Sequence, residues 1–479
     1  MHYYAGIDIG TTHLKLVITD PQLRVVVQGK RGYRNGFGAR LDANEMRGHC
    51  FDLLKEASAA LPADATALFI GFSSAMHSVL LVDRNGAPLT ELMTWADNSS
   101  QPWVEQHVAS GPSVFNATGT PFHPMTPLAK LGWLRQSAPE LLAQMHKAVG
   151  IKEFIWFHLT GKWEIDHSIA SATGLFDIET RTWYTAALRL AGIGEKQLSV
   201  PVSVLHTVPL QAAFSFPCPV QLVIGGSDGC LAQLGSNLLQ PGAAALTIGT
   251  SGAIRVTKPV AERDARGQLF TYILDEDYYV QGAPVNNGGL ALQWWNHNVS
   301  GGSLDPAATM QAFEQDLAAT TAGAGGLICI PWFAGERAPV WNAHASGSFH
   351  AVSTAHTRAH FGRSVLEGIC FQFRLLMQLL ERQTGSIDSI FASGGFTASK
   401  AWLQLMADIL QRAVYVPASP VDASALGAIA MAMRAGGQIE HWQAFVRLNK
   451  QGFDVYHWQE QTKTVYDAQF NIFRELCRS

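Results

Sequence analysis

Apolar runs of strand length recur along this chain, and most lead through a glycine-rich turn into a second apolar run or an amphipathic one. The first begins at about Tyr3, passes Ile9-Gly10-Thr11-Thr12 and continues to Asp20, a pattern that predicts a strand–turn–strand unit. Half a chain later Ala244 to Val256, AALTIGTSGAIRV, repeats that logic around Ile248-Gly249-Thr250-Ser251. Two such units predict two related domains. Pro241-Gly242 punctuates the chain just before the second unit, so the division is expected as 1–240 and 241–479.

Between these units strands alternate with helices. ALFIGFSSAMHSVLLVD predicts a strand, a loop at Ser73-Ser74 and a strand ending near Asp83. TPLAKLGWLRQSAPELLAQM predicts a helix broken by Pro139, and VQLVIGGSDGCLAQLGSNLL an apolar strand, a glycine turn and a helix. In the second half ALQWWNHNV and HFGRSVLEGICFQFRLLMQLLERQ read as helices. SIFASGGFTASKAWLQLMADILQRAVYV reads as strand, glycine loop, helix and strand, with Trp402, Met406 and Ile409 on one helical face. This alternation implies an α/β fold with parallel or mixed sheets in each half.

Length and composition narrow the class. The 479 residues suit two large domains, and 47% hydrophobic with 15% charged residues implies extensive buried sheet rather than disorder. A net charge of -4 and the lack of a basic run give no footprint for nucleic acid. No apolar stretch approaches a membrane span, nothing at the N-terminus resembles a signal peptide, and the six cysteines form no C-x-x-C pair. The expectation is a soluble cytoplasmic protein with reduced thiols and no zinc site.

Some polar residues sit where a core alone would not need them. Asp8 interrupts an apolar strand, and a buried carboxylate requires a cation or a set of donors. The following Gly10-Thr11-Thr12 offers backbone N–H groups and hydroxyls at a tight bend, which suits a phosphate or a plain hairpin turn. Asp228 falls between a buried strand and a helix, at the sheet edge where α/β proteins hold ligands; there an aspartate can take a proton from a hydroxyl undergoing phosphoryl transfer. Gly394, Gly395 and Ser399 read either as a ligand-approach loop or as a helix start capped by Ser399, and Gly288, Gly289 and Gln293 carry the same ambiguity. His77, Trp95, Asp97 and Asn98 fall at strand ends. Singly, His77 suits a core position; together the four are what a polyol pocket needs, an aromatic face with donors and acceptors for hydroxyls.

In order along the chain, GIDIGTTHLKLVITD, MHSVLLVD, TWADN, MTPLAKLGWL, GGSDGCLAQLG, TIGTSGA, GERAPVW and GGFTASKAWLQLMADIL resemble the carbohydrate kinases of the FGGY family. That resemblance implies an actin/hexokinase-like fold of two ribonuclease-H-like domains, sugar-binding first and nucleotide-binding second, with ATP in the cleft between them. It implies Asp228 as general base and Asp8 as holder of Mg²⁺, through water. Thr11, Thr12, Gly249 and Thr250 would face the nucleotide phosphates. Gly289, Gln293, Gly394, Gly395 and Ser399 would line the nucleotide site, and His77, Trp95, Asp97 and Asn98 the sugar pocket. Domain closure with a hinge near Pro241-Gly242 and a homodimer are further expectations of the resemblance.

TGTPFHPMTPLAKLGWL and KEFIWFHLTGKWEIDHSIASATGLFDIETRTW resemble the gluconate kinases of the family more than its xylulose or glycerol kinases. One position departs: after TWADN many of that subfamily have arginine, and this chain has Ser99. An anionic sugar acid benefits from a cation near its carboxylate, a role open to Lys152 or a backbone nest. The alternatives are a xylulose, pentulose or polyol kinase of the same family and, from another class, an ATP-switched interaction protein of actin-like fold. The intact Asp8, Asp228 and threonine loop speak against a catalytically dead sensor.

Overall fold

The computed structural model describes residues 1–478 apart from 35, 37, 213, 419–421 and 451. The chain forms two compact units, one of Met1–Asn237, Lys258–Val280 and Val421–Lys450, the other of Leu238–Thr257, Gln281–Pro420 and Gln451–Ser479. The chain first passes to the second unit after Asn237, and Lys258–Val280 and Val421–Lys450 return to the first unit.

The first unit is built on a six-stranded mixed sheet ordered Thr207–Pro209, Val220–Ser227, Ala67–Ser74, His2–Ile9, His13–Thr19, Val25–Gly32. Its three central strands run parallel, and His13–Thr19 folds back antiparallel on His2–Ile9 in the register Ile9 to Leu14 and Asp8 to Lys15. His2–Ile9 is buried from Tyr3 onward and Val220–Ser227 at nearly every position, as expected of sheet interiors covered on both faces.

One cover explains why the chain returns. The helix Ala423–Ala435 packs on this sheet so closely that a Cβ at Gly6 would stand 2.2 Å from the Ala425 carbonyl oxygen, and one at Gly71 2.1 Å from that of Ala428. Only glycine permits that approach. Between Val223 and Gly226 the register with Ala67–Ser74 shifts, at Gly225 with φ +67°. This irregularity lies just before Ser227 and re-aims the strand end that delivers Asp228, the first residue of the helix Asp228–Gly235.

The second unit repeats the plan. Its sheet contains, in spatial order, Gly252–Lys258, Ala243–Ile248, Ser389–Ser393, Ala413–Pro417 and Phe453–Tyr456. Gly252–Lys258 is antiparallel to Ala243–Ile248, and the next two strands are parallel to it. The helices Arg358–Thr384 and Lys400–Leu410 form where the apolar periodicity places them, and Trp402, Met406 and Ile409 are all buried. Among the described residues no helix is long and apolar enough to cross a membrane.

Candidate active site

Asp8 lies near the end of the His2–Ile9 strand, buried, and accepts a hydrogen bond of 2.7 Å from Ser73 Oγ on the parallel neighbour. Directly across the hairpin stands Lys15, whose Nζ is 3.9 Å from Asp8 Oδ2 and 2.5 Å from Asp422 Oδ2. Asp422 caps the helix Ala423–Ala435, accepting from the Ser424 and Ala425 N–H groups. Ser424 Oγ in turn donates to the Asp228 carbonyl at 3.3 Å, and Asp228 Oδ1 accepts from the Gly229 N–H at 2.6 Å. The returning helix therefore brings Asp422 to the place where Asp8 and Asp228 already lie.

Charge crowding marks this cluster. Burial, then the neighbouring Asp422 and Asp228, push the Asp8 carboxyl up to about 7, against the opposing influence of Lys15 and Ser73. Burial alone would lower Lys15, but Asp422, Asp8 and Asp228 hold its ammonium above the ordinary lysine range. Three carboxylates thus act electrostatically on one ammonium, an excess of negative charge in a buried place. Sequence reasoning missed Lys15, Ser73 and Asp422. Lys15 was within reach, because the hairpin register places it opposite Asp8; nothing local singles out Asp422.

The sugar-pocket candidates also come together within the first unit. His77, with φ +67°, packs edge-on against the Tyr272 ring at 5.8 Å between centroids. Buried Lys130 donates to the carbonyl oxygens of His77, Thr94 and Met125 at 2.8, 2.6 and 2.8 Å, tying the His77 loop to the stretch that carries Trp95. Asp97 is buried, accepting from Arg40 Nε at 3.0 Å and from the Ser99 N–H at 2.8 Å. Burial alone would raise its carboxyl, yet the Ser99 and Arg40 hydrogen bonds hold it below the ordinary range. Trp95 is half-buried and Asn98 exposed.

Lys152, a candidate cation for the acceptor, is tied into a buried pair. Its Nζ is buried 2.6 Å from Asp166 Oδ2 and donates to the Gly226 carbonyl at 3.0 Å, directly beneath the turn into Asp228. Ser168 Oγ accepts from the Ser227 N–H at 3.1 Å, fixing the same turn from the side.

Two glycine–threonine turns complete the candidate set. In the first unit Gly10-Thr11-Thr12 joins its strands, with the Gly10 N–H bonded to the His13 carbonyl at 3.1 Å and both threonines half-buried. In the second unit Gly249 and Thr250 are exposed, and their carbonyl oxygens accept from the N–H groups of Gly289 at 2.7 Å and Leu290 at 2.9 Å. Gly289 opens the helix Gly289–Trp294, on which Gln293 is half-buried. Gly394, at φ +94°, would place a Cβ 2.4 Å from the Ile248 carbonyl oxygen, so it too adjoins this turn. Gly395 follows with open space around it. Ser399 stands apart: it is buried, caps Lys400–Leu410 by accepting from the Trp402 N–H at 3.2 Å, and donates to Glu314. Capping is the role the structure gives it.

Comparison with known proteins fits this geometry. The model of the FGGY family of carbohydrate kinases, N-terminal domain, matches residues 3–235, and that of the C-terminal domain matches 244–436. A gluconokinase of Bacillus licheniformis is 37% identical over 454 residues, 91% of this chain and 88% of that protein. A xylulose kinase of Staphylococcus epidermidis is 27% identical over 98% of this chain and 97% of its own length. Among solved structures, a gluconate kinase from Lactobacillus acidophilus superimposes with a TM-score of 0.90 at 29% identity, covering 99% of this chain and 97% of that one.

Proposed function

The chain belongs to the FGGY family of carbohydrate kinases, and on that premise we propose that its acceptor is D-gluconate, phosphorylated at the terminal hydroxyl to 6-phosphogluconate with Asp228 as general base. As a family member it is an ATP-dependent carbohydrate kinase with the two-domain actin-like α/β fold. The observation that carries the choice of acceptor is the gluconokinase of Bacillus licheniformis, at 37% identity over nearly the whole chain.

In this reading the acceptor lies against His77, Trp95, Asp97 and Asn98, and the Lys130 bonds keep the two sides of that pocket in register. Asp228, presented at a fixed strand end, accepts the proton of the terminal hydroxyl as its oxygen attacks the γ-phosphorus. Thr11 and Thr12 in the first unit, and Gly249, Thr250, Gly289, Gln293, Gly394 and Gly395 in the second, are assigned to the nucleotide. Mg²⁺ is assigned to Asp8, since a carboxylate crowded by Asp422 and Asp228 is relieved by a divalent cation. Asp8 would hold that ion, directly or through water, and the ion when bound neutralises phosphate charge. Lys15, already drawn toward Asp8 and Asp422, adds a second positive charge on the same side.

The test is ATP-dependent turnover of gluconate, xylulose, ribulose and glycerol, by wild type and Asp228→Asn. Gluconate should give the highest kcat/KM, and the substitution should lower kcat about 10²- to 10⁴-fold. A neutral sugar well ahead of gluconate would instead favour the second reading, a pentulose or polyol kinase, to which the uncharged Ser99 lends support. Asp228→Asn with unchanged turnover would remove Asp228 from its role.

A further inference from the structure

We propose that Arg40 selects the anionic acceptor, its guanidinium receiving the carboxylate of a sugar acid beside the proposed acceptor residues Trp95, Asp97 and Asn98. The inference rests on the gluconate reading and names the residue that reading leaves unassigned. Ser99 has no charge to offer, so a cation for an acid acceptor has to come from elsewhere in the first unit.

The cations near this pocket differ in what remains of their donors. Lys130 has three N–H groups and three carbonyl partners, at 2.8, 2.6 and 2.8 Å, and is fully buried. Lys152 is buried against Asp166 and bonded to Gly226. Lys130 cannot turn toward a ligand without stranding buried carbonyls, and the charge of Lys152 is already held by a buried carboxylate. Arg40 is different: its side chain is 45% exposed, while the Asp97 it holds is 2% exposed.

Among the described residues its two contacts lie along one edge of the guanidinium. Nε donates to Asp97 Oδ2 at 3.0 Å and Nη2 approaches Ser99 Oγ at 3.5 Å, which leaves Nη1 and the second Nη2 hydrogen as a fork at the end of the group. That end has the geometry that meets a carboxylate with two parallel hydrogen bonds. Asp97 anchors the group from inside, and a ligand carboxylate would complete it from outside.

The backbone places Arg40 with the same care. The short strand Arg40–Leu41 pairs antiparallel with Leu92–Met93, Arg40 opposite Met93, so the residues immediately following are Thr94 to Ser99. Thr94 Oγ1 bonds back to the carbonyl oxygens of Gly38 and Ala39, both at 3.1 Å, locking the two segments together. Arg40 thus stands beside position 99, and its guanidinium reaches the Ser99 hydroxyl.

The test compares an acid with its uncharged analogue. For Arg40→Met, the KM for D-gluconate should rise about 10- to 100-fold, the size of a lost charge-assisted bidentate contact, with kcat changing far less. Competitive binding of D-glucitol, which carries a hydroxymethyl group in place of the carboxylate, should change less than about 3-fold, and its retention shows that the pocket is folded. Adding Ser99→Arg to Arg40→Met should recover much of the gluconate affinity. Equal losses for gluconate and glucitol would overturn the proposal, because Arg40 would then act only by holding Asp97; so would an unchanged gluconate KM. Failure of the gluconate reading shows separately: wild type would neither turn over nor bind gluconate, and the assignment of Arg40 would fall with it.

Discussion

Two hairpins of one construction open the sheets of the two units, and they differ at the position where chemistry is assigned. Gly10-Thr11-Thr12 in the first and Gly249-Thr250-Ser251 in the second each join two antiparallel strands. In both, the residue two before the glycine meets a serine of the parallel neighbour: Asp8 meets Ser73 at 2.7 Å, Thr247 meets Ser393 at 2.9 Å. Across the hairpin Asp8 faces Lys15, whereas Thr247 faces Ala253. The frame is duplicated, and the charge appears in one copy. The neutral copy holds a hydroxyl pair that satisfies itself. The charged copy keeps a carboxyl pushed up to about 7 by burial and by Asp422 and Asp228, an arrangement that lowers the stability of the fold around it. A group kept in such a place is expected where function uses it.

Exchanging the two positions tests that contrast most severely. Asp8→Thr turns the first hairpin into a copy of the second, and turnover should fall about 10³-fold or more if the carboxylate organises charge at the reacting phosphate. Its thermal unfolding midpoint, measured without metal or nucleotide, should hold or rise, since a crowded buried carboxyl has gone. Full activity in Asp8→Thr would mean that the duplicated frame suffices without the charge. A sharp fall in melting temperature would mean that Asp8 serves structure first.

The next largest effect is expected beneath Asp228. Lys152 and Asp166 form a buried pair, and the lysine also holds the Gly226 carbonyl two residues before Asp228. Lys152→Met leaves Asp166 buried without its cation, and unfolding free energy should fall by about 3–5 kcal/mol. Lys152→Met with Asp166→Leu should recover a good part of that stability. If the pair only stabilises the fold, the double variant regains turnover with it; if it aims the turn at Asp228, kcat stays low while stability returns. Chemical denaturation and steady-state kinetics on the same preparations separate these outcomes.

These supports explain which parts of the molecule were legible in the sequence. Periodicity and glycine punctuation located the strands, the long helices and both hairpins, because each depends on neighbours close in the chain. Asp8 and Asp228 stood out as acids where apolar residues belong. Lys130 and Arg40 did not, since Lys130 meets carbonyls of three separate turns and Arg40 meets Asp97 only through strand pairing. Asp422 belongs to a segment that returns to the first unit, and that return is governed by contacts at Gly6 and Gly71 far away in sequence. Lys152 read as an available cation because its partner Asp166 lies on another element. Ser399 was ambiguous between ligand and cap, and its hydroxyl does accept from the Trp402 N–H at the start of Lys400–Leu410.

The smallest effect concerns pH. Like Asp8, Glu153 is a first-unit carboxyl pushed by burial up to about 7, against the influence of the nearby Ser199 hydroxyl and the hydrogen bond from the Gly150 N–H. In the unfolded chain it titrates near the ordinary glutamate value, so between there and about pH 7 the native state binds the extra proton. Stability therefore falls as pH rises through that window, by at most about 1.4 kcal/mol per pH unit for one such group, and levels off above it. Glu153→Gln keeps an acceptor for the Gly150 N–H and removes the proton. Its unfolding free energy should be less steep than wild type between pH 5 and 7, with the advantage of the variant growing toward the upper end. The residual slope then belongs to Asp8 and other raised carboxyls, and Glu153→Gln combined with Asp8→Thr should flatten it further. If Glu153→Gln leaves the slope untouched, the glutamate is ionised in the native state, and Lys152 beside it is the cation that holds it so.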